Sequence, residues 1–433
     1  MQNIILALSI ISLATLWNCS NDDDDMTVAD CTTVTDLGTK SSSASVVDLA
    51  AKATAFKASL SDDNLAIMQY CLNDSELALW AFLPEGEVDR EGLRLGEVSA
   101  SSLGLFEIMM ETFLSSQGYG KVDWIINTLE VFVESQQGST NYGSGYFTVT
   151  MFNDPEVDGS WAVQLEGHHL AMTFVVNEDN IFFTPTFFGG RPRVHEGTNI
   201  FADEESLGLA FVNSLTSNQL AIAKTADVAP ENSGYAAQKG SNDDGFGNYA
   251  YDEGEKTEGI SKGELDASQQ TKLHELIQYY VANYNSDFTA DLLTEIESGL
   301  SSTQFVWKGS TDDTNVNNLD ITTADRYYYR IYNPAIFIEF DISEFSDPAD
   351  THHDHFIIRS PSDDFGPFAA ILPTLDIQHH VETAPHHSLE REFLAEQKHR
   401  NEHRHGHTHG HVSDASERMI ALRLVEIMTK GKS

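Results

Sequence analysis

Trp161-Ala162-Val163-Gln164-Leu165-Glu166-Gly167-His168-His169-Leu170-Ala171-Met172-Thr173-Phe174-Val175-Val176 is the stretch on which the fold turns. Aromatic and β-branched residues dominate it, as they do in strands. The reading is of one strand, Trp161 to Val176, paired with Ile181 to Phe188 across Asn177-Glu178-Asp179-Asn180. Just upstream, Tyr146 to Phe152 reads as a strand ended by the turn signal Asn153-Asp154-Pro155. Outward from this block the period changes. Helical spacing dominates from Val46 to Glu134, with Ser101-Ser102 as a cap ahead of Leu103, and returns from Asp203 to Ala226 and from Asp266 to Gly299. A second strand block follows, Thr303 to Lys308, Arg326 to Tyr332, Ala335 to Asp341 and Phe356 to Arg359. Helix-rich and strand-rich blocks are segregated. That implies an α+β class, helices around a largely antiparallel sheet, in a single main domain with a histidine-rich C-terminal tail.

Charge bounds the partners. The 433 residues include 67 Asp and Glu against 25 Lys and Arg, a formal charge of −42. Nucleic acid and anionic membrane surfaces repel such a chain, whereas cations are drawn to it. A 41% hydrophobic content is ample for a sizeable core.

The N-terminus speaks to compartment. Ile4 to Leu16 is an apolar run too short to span a bilayer and of the length of a signal-peptide core. It leads through Trp17-Asn18 to Cys19, then Ser20-Asn21 and the acidic run Asp22 to Asp25. This resembles a bacterial lipoprotein signal, with Cys19 as the lipidated first residue, and the acidic run resembles the surface-export tag of Bacteroidetes lipoproteins. The resemblance implies an exported protein anchored by lipid to the outer membrane or cell surface; a cleaved secretory signal and a buried N-terminal helix are the alternatives. With Cys19 lipidated, Cys31 and Cys71 are the one possible pair. Export permits a disulfide between them, and two buried thiols are the other reading.

The expected layout is a signal peptide over 1–18, an acidic and polar tether over 19–44 and an α+β domain over 45–378. The domain carries an acidic, Gly- and Asn-rich insertion loop at 229–263, and a histidine-rich segment at 379–412 and a terminal helix at 413–433 follow it.

Of the 17 histidines, 13 lie after Thr351. Neutral imidazole is the commonest protein ligand for zinc, copper and nickel, so this clustering points to metal chemistry or metal capture. His405, His407, His409 and His411 alternate with small residues as a multidentate chelator would. Two further motifs lie within the domain, Gly167-His168-His169-Leu170 and His353-Asp354-His355. No phosphate-binding glycine loop, nucleophile elbow or HExxH is present.

Those two motifs, with Thr184-Pro185-Thr186-Phe187-Phe188-Gly189, Trp307-Lys308-Gly309, Tyr329-Arg330-Ile331, Pro334, Glu339-Phe340-Asp341, Arg359-x-Pro361 and Asp364-Phe365-Gly366, carry a resemblance. Over Leu65 to Gly366 the chain resembles the domain-of-unknown-function family numbered 3500, found in bacteria and fungi. It departs at His352, Asp354 and Phe356, and the acidic loop and histidine tail are its own. The resemblance implies a domain identity and no reaction.

In a strand, residues two apart face one way, so His353 and His355 can converge, as can Glu339 and Asp341 on the preceding strand. Pairing of those strands would assemble two imidazoles and two carboxylates, a zinc or iron ligand set; the alternative is a solvent-facing strand start. Within a regular strand His168 and His169 oppose each other, and His168 shares the polar set with Gln164 and Glu166; a bulge at Gly167 would turn both inward. Arg191 after the glycine turn and Arg359 before Pro361 are candidates for an anionic ligand, or for pairing with nearby carboxylates. The aromatic runs, Tyr327-Tyr328-Tyr329 among them, read as core.

Three functions follow. The first is an exported, lipid-anchored protein that binds a divalent transition metal, zinc or copper, through His168, His169, His353, His355, Asp341 and the tail. The second is a metal-dependent hydrolase, with Glu166 or Glu339 as general base and Arg191 and Arg359 as anion-binding groups. The third is a surface interaction protein without catalysis.

Overall fold

Several of the described helices begin where a side chain accepts from a first-turn N–H, as those of Ser61, Ser99, Ser115, Thr216 and Asp266 do. The computed structural model describes residues 41–368 apart from 73, 79, 86–89, 156–158, 230–255, 313–324, 344–352 and 363. Within it α1 (Ala44–Lys57) and α2 (Asp62–Met68) are followed by α3 (Ala100–Phe113), where Ser99 rather than Ser101-Ser102 caps by accepting from the Ser102 N–H. Next comes α4 (Ser116–Trp124), then a single π-helical turn, Ile125–Leu129, and α5 (Glu130–Gln137). After α6 (Ala202–Val212), α7 (Ser217–Ala223) and α8 (Ala267–Val281) open with capping boxes, Thr216 with Gln219 and Asp266 with Gln269. α9 (Ala290–Gly299) completes the set, so the span read as helical from Asp266 to Gly299 is two helices. None of the described helices is long and apolar enough to cross a membrane.

The strands are β1 (Gln69–Tyr70), β2 (Leu93–Arg94), β3 (Thr148–Phe152), β4 (Ser160–Gly167), β5 (Leu170–Asn177), β6 (Asn180–Phe182), β7 (Thr186–Gly190), β8 (Lys224–Ala226), β9 (Ile260–Ser261), β10 (Gln304–Gly309), β11 (Tyr327–Asn333), β12 (Ile336–Ser343) and β13 (His353–Arg359). All join one sheet in the order β1-β3-β4-β5-β7-β13-β12-β11-β10-β8, with β2 on β3, β6 on β5 and β9 on β10. Pairing is antiparallel except at β1·β3 and β8·β10. The α+β class and the largely antiparallel sheet are as expected. The first half of the chain supplies β1 to β7 and the second half β8 to β13. Among the described residues, the ladder joins the halves at β7·β13 alone.

Helices cover one sheet face, where Leu49, Phe56, Phe106, Met109, Phe113, Leu209 and Ile277 pack on Val163, Leu165, Met172, Phe188, Trp307, Tyr329, Phe340 and Phe356. On the other face a smaller apolar cluster sets Leu72, Trp80, Phe82 and Phe365 against Ala162, Ala171, Phe187, Phe337 and Ile357. Tyr327 and Tyr329 belong to the helix-side core, as read, and stack with Trp307 and Phe340.

Three local readings are corrected. Trp161 to Val176 is not one strand but the hairpin β4–β5, closed between Gly167 and Leu170 with His168-His169 as its two-residue loop. Its second strand is almost wholly apolar from Leu170 to Val176 because both sheet faces are covered there. The loop uses His169 at φ 65°, a left-handed position that usually draws Gly or Asn. Gly167 is not a bulge: it ends β4, and the Phe147 ring occupies the place of its missing Cβ. Finally, the end of the segment read as the 229–263 loop is ordered into β9 and a 3-10 turn, Lys262–Glu264; residues 230–255 lie outside the described residues. The signal peptide, all but the last residues of the tether, the histidine-rich segment and the terminal helix also lie outside them.

Candidate metal centre

A two-residue hairpin loop cannot keep its side chains on opposite faces as a strand does. The His168 and His169 rings therefore stack, with centroids 3.8 Å apart and 27° between planes. Both are mostly buried, at 8% and 7% exposure. The His169 backbone is tied on both sides, its N–H donating to Phe82 O at 2.9 Å and its carbonyl accepting from Gly189 N at 2.7 Å.

Glu130 meets this pair from the helices. Val122, Ile126 and Val133 mark the buried stripe of α4–α5, and Glu130 lies four residues after Ile126 on that same stripe, just beyond the π turn. π turns inside α-helices recur at functional sites. The carboxylate is 1% exposed and places Oε1 2.5 Å from His168 Nδ1. A carboxylate only accepts, so Nδ1 carries the hydrogen, and in the neutral ring Nε2 holds the lone pair. Ligand atoms of Glu130, His168 and His169 all lie within 4.8 Å of one another, and Tyr142 stands edge-on to His168 at 5.2 Å. Glu130 was not among the residues singled out from sequence. Its signal was legible, as a carboxylate on an apolar helical stripe.

From the other half of the sheet comes His355. Its ring centroid is 5.3 Å from that of His169 and 5.3 Å from that of Phe187. Asp341 is its cross-strand partner, and Asp341 Oδ2 lies 3.4 Å from His355 Nδ1. The expected sharing of a face by the second motif and the β12 carboxylates thus holds for His355 and Asp341. His353 pairs with Ser343 in the ladder, and its side chain lies outside the described residues. Glu339, on the same face of β12, accepts a hydrogen bond from Tyr328 OH.

Gly189 lies between the two motifs, opposite His355 in the β7·β13 ladder. A Cβ there would come 2.7 Å from His169 Cδ2 and 2.9 Å from His355 Cδ2. Glycine keeps the two imidazoles adjacent.

Glu166 lies on β4 beneath the loop, 3% exposed, and accepts from the Ala81 N–H at 2.6 Å. Burial pushes its carboxyl up to about 7, with the Arg90 guanidinium and the Ala81 hydrogen bond pulling the other way. Burial in turn lowers Arg90, while Glu166, Glu85 and Glu130 oppose the shift. Arg90 donates to the carbonyls of Ala81 and Leu83, and the Ala81 N–H that bonds Glu166 joins this stretch to β4. Arg359 is held by Asp364 at 2.7 Å and lies over the Trp80 ring, and Arg191 is part-buried with partners of its own. Cys19, His405, His407, His409 and His411 lie outside the described residues, and Cys71 is disulfide-bonded.

The structure therefore gathers His168, His169, Glu130, His355 and Asp341 in one buried place, with Glu166 close by in sequence and electrostatically linked to Glu130 through Arg90. Imidazole nitrogens with carboxylates behind them suit a borderline divalent transition metal better than magnesium or calcium, which take oxygen ligands. A family model described as "Protein of unknown function (DUF3500)" matches residues 42–367, and the chain belongs to that family. No curated protein and no solved structure matches it.

Proposed function

We propose that this family member is an exported protein that binds a divalent transition-metal ion, zinc or copper, inside its domain, with the histidine-rich tail as a second, weaker reservoir. One observation carries the reading: His168, His169 and Glu130 converge in a buried cluster, with His355 alongside. Imidazole nitrogens backed by carboxylates, as in the His168–Glu130 and His355–Asp341 pairs, are the donor arrangement that a borderline divalent transition metal takes. Export is supported by the N-terminal sequence and by the disulfide at Cys71, a bond that persists in oxidising compartments. Lipid attachment at Cys19 would hold the protein at the outer membrane or cell surface.

The test is equilibrium dialysis against Zn²⁺ or Cu²⁺ followed by metal analysis, on the full chain with the ten tail histidines from His379 to His411 replaced by Gln. One tight equivalent is expected, lost when His168 and His169 are both changed to Ala. Equal metal content in the parent and the double variant would refute the proposal.

A further inference from the structure

The centre lies where the two halves of the sheet meet. His169 and Gly189 come from the first half, His355 and Asp341 from the second, and β7·β13 is the ladder between them. Register makes the alignment strict. Gly189 N–H donates to His169 O, Gly189 faces His355, and His355 faces Asp341, so one line of residues crosses β7, β13 and β12.

Ring spacing discriminates between the imidazole pairs. With a metal–nitrogen bond near 2.05 Å, two imidazoles on a tetrahedral ion have centroids about 5.2 Å apart, and about 4.5 Å apart at a right angle. His169 and His355, at 5.3 Å and tilted by 50°, have the tetrahedral spacing. His168 and His169, at 3.8 Å and nearly parallel, are closer than even the right-angle limit. The 2.5 Å between His168 Nδ1 and Glu130 Oε1 is likewise too short for two ligands of one ion, which stand about 3.3 Å apart. That pair is joined by a hydrogen.

Resting on the metal-binding reading above, we infer that His169 and His355 share the ion across the β7·β13 seam, so that metal binding fastens one half of the sheet to the other. Asp341 orients the His355 ring. Glu130 fixes His168, which stacks on His169 and turns its Nε2 away from the carboxylate. Gly189 supplies the gap in which the two ligand rings approach. Metal occupancy is then coupled to the integrity of the seam, because an ion bound only when both halves are in register stabilises that register.

The test uses the same full chain with tail histidines replaced, measuring Zn²⁺ affinity, the thermal midpoint with and without one equivalent of Zn²⁺, and amide exchange of Thr186–Gly190 and His353–Arg359. In the parent, Zn²⁺ should raise the midpoint and slow exchange in both strands. His355→Ala should weaken binding at least 100-fold and abolish the metal-dependent protection. Asp341→Asn, a milder change should the first fail to fold, should weaken binding 10- to 100-fold. Parent-like affinity and protection in His355→Ala, or in Asp341→Asn if the Ala variant does not fold, would overturn the seam inference and leave the metal-binding reading standing. Absence of any tight equivalent in the parent would overturn both.

Discussion

Gly189→Ala tests how closely the two motifs are packed. An added Cβ would lie 2.7 Å from His169 Cδ2, 2.9 Å from His355 Cδ2 and 3.0 Å from His169 Cβ. Carbon atoms prefer roughly 3.5–4.0 Å, so the rings would have to part by about 0.6 Å or more. Neither retreats easily. His169 is stacked on His168 and held through its own N–H by Phe82 O, and His355 is backed by Phe187 and Asp341. Overpacking of this kind costs about 1–3 kcal/mol. The φ of Gly189 is not in the left-handed region, so alanine gains back about 0.4–1 kcal/mol by stiffening the unfolded chain. The net expectation is a loss of about 1–2 kcal/mol in the metal-free protein, with metal affinity reduced as well. Urea unfolding should show a lower midpoint at an unchanged slope. Gly104, in α3 and with nothing within 4 Å of its would-be Cβ, is the control: Gly104→Ala should be stabilising by about 0.5–1 kcal/mol. A Gly189→Ala variant as stable as the parent and equal to it in metal affinity would refute the packing argument.

Lys121→Met strips the buried Glu204 carboxylate of its cation and should destabilise by about 3–5 kcal/mol, while adding Glu204→Leu should restore most of the loss; chemical denaturation of both decides. The full chain should bind several equivalents of Zn²⁺ or Cu²⁺ near neutral pH, weakening below about pH 6 as imidazoles protonate, and truncation after Pro385 should remove the weak ones; calorimetry showing unchanged stoichiometry would contradict a chelating tail. Cys19→Ser should release the protein from the membrane fraction, and unaltered fractionation would argue against a lipid at that residue.

Most of the second strand block was legible because its cues agree. Aromatic and β-branched runs between turn residues give β10, β11 and β12 nearly to the residue, and the i, i+2 rule placed Asp341 and His355 on one face. The first histidine motif was harder to read. Its hairpin lacks the Gly or Asn that usually announces a two-residue turn, and β5, buried on both faces, shows no alternation of its own, so Trp161 to Val176 reads as continuous. That error set His168 and His169 on opposite faces, whereas the loop stacks them. Glu130 was missed for a different reason. Helical spacing marks a charged residue on a buried stripe but does not encode what it faces, and Glu130 faces a hairpin loop from a distant segment. The role of Gly189 depends on two chain segments well over a hundred residues apart, and no local pattern encodes such an approach.

The residue next to His355 adds a second polar group to the seam. Successive residues of a strand face opposite ways, so Asp354 points to the helix side while His355 points to the candidate centre. Asp354 pairs with Gly190 in the same ladder, is fully buried, and lies 3.5 Å from Arg193 Nε. Arg193 also pairs with Glu205, which accepts hydrogen bonds from Tyr327 OH and Asn199. Burial and the nearby Glu205 push the Asp354 carboxyl well above its usual range, against the pull of Arg193. A buried cluster of this kind favours one register more than it adds to stability. The junction between half-sheets therefore has polar groups on both faces: an Arg193–Glu205–Asp354 cluster beneath the helices and the imidazole row opposite. A one-residue slip of β13 would turn every side chain to the other face: in one direction His355 would take the place of Asp354 against Arg193, in the other Asp354 would take the place of His355 towards His169. Such a slip fails on both faces at once, and an ion held by His169 and His355 would bind in the native register alone.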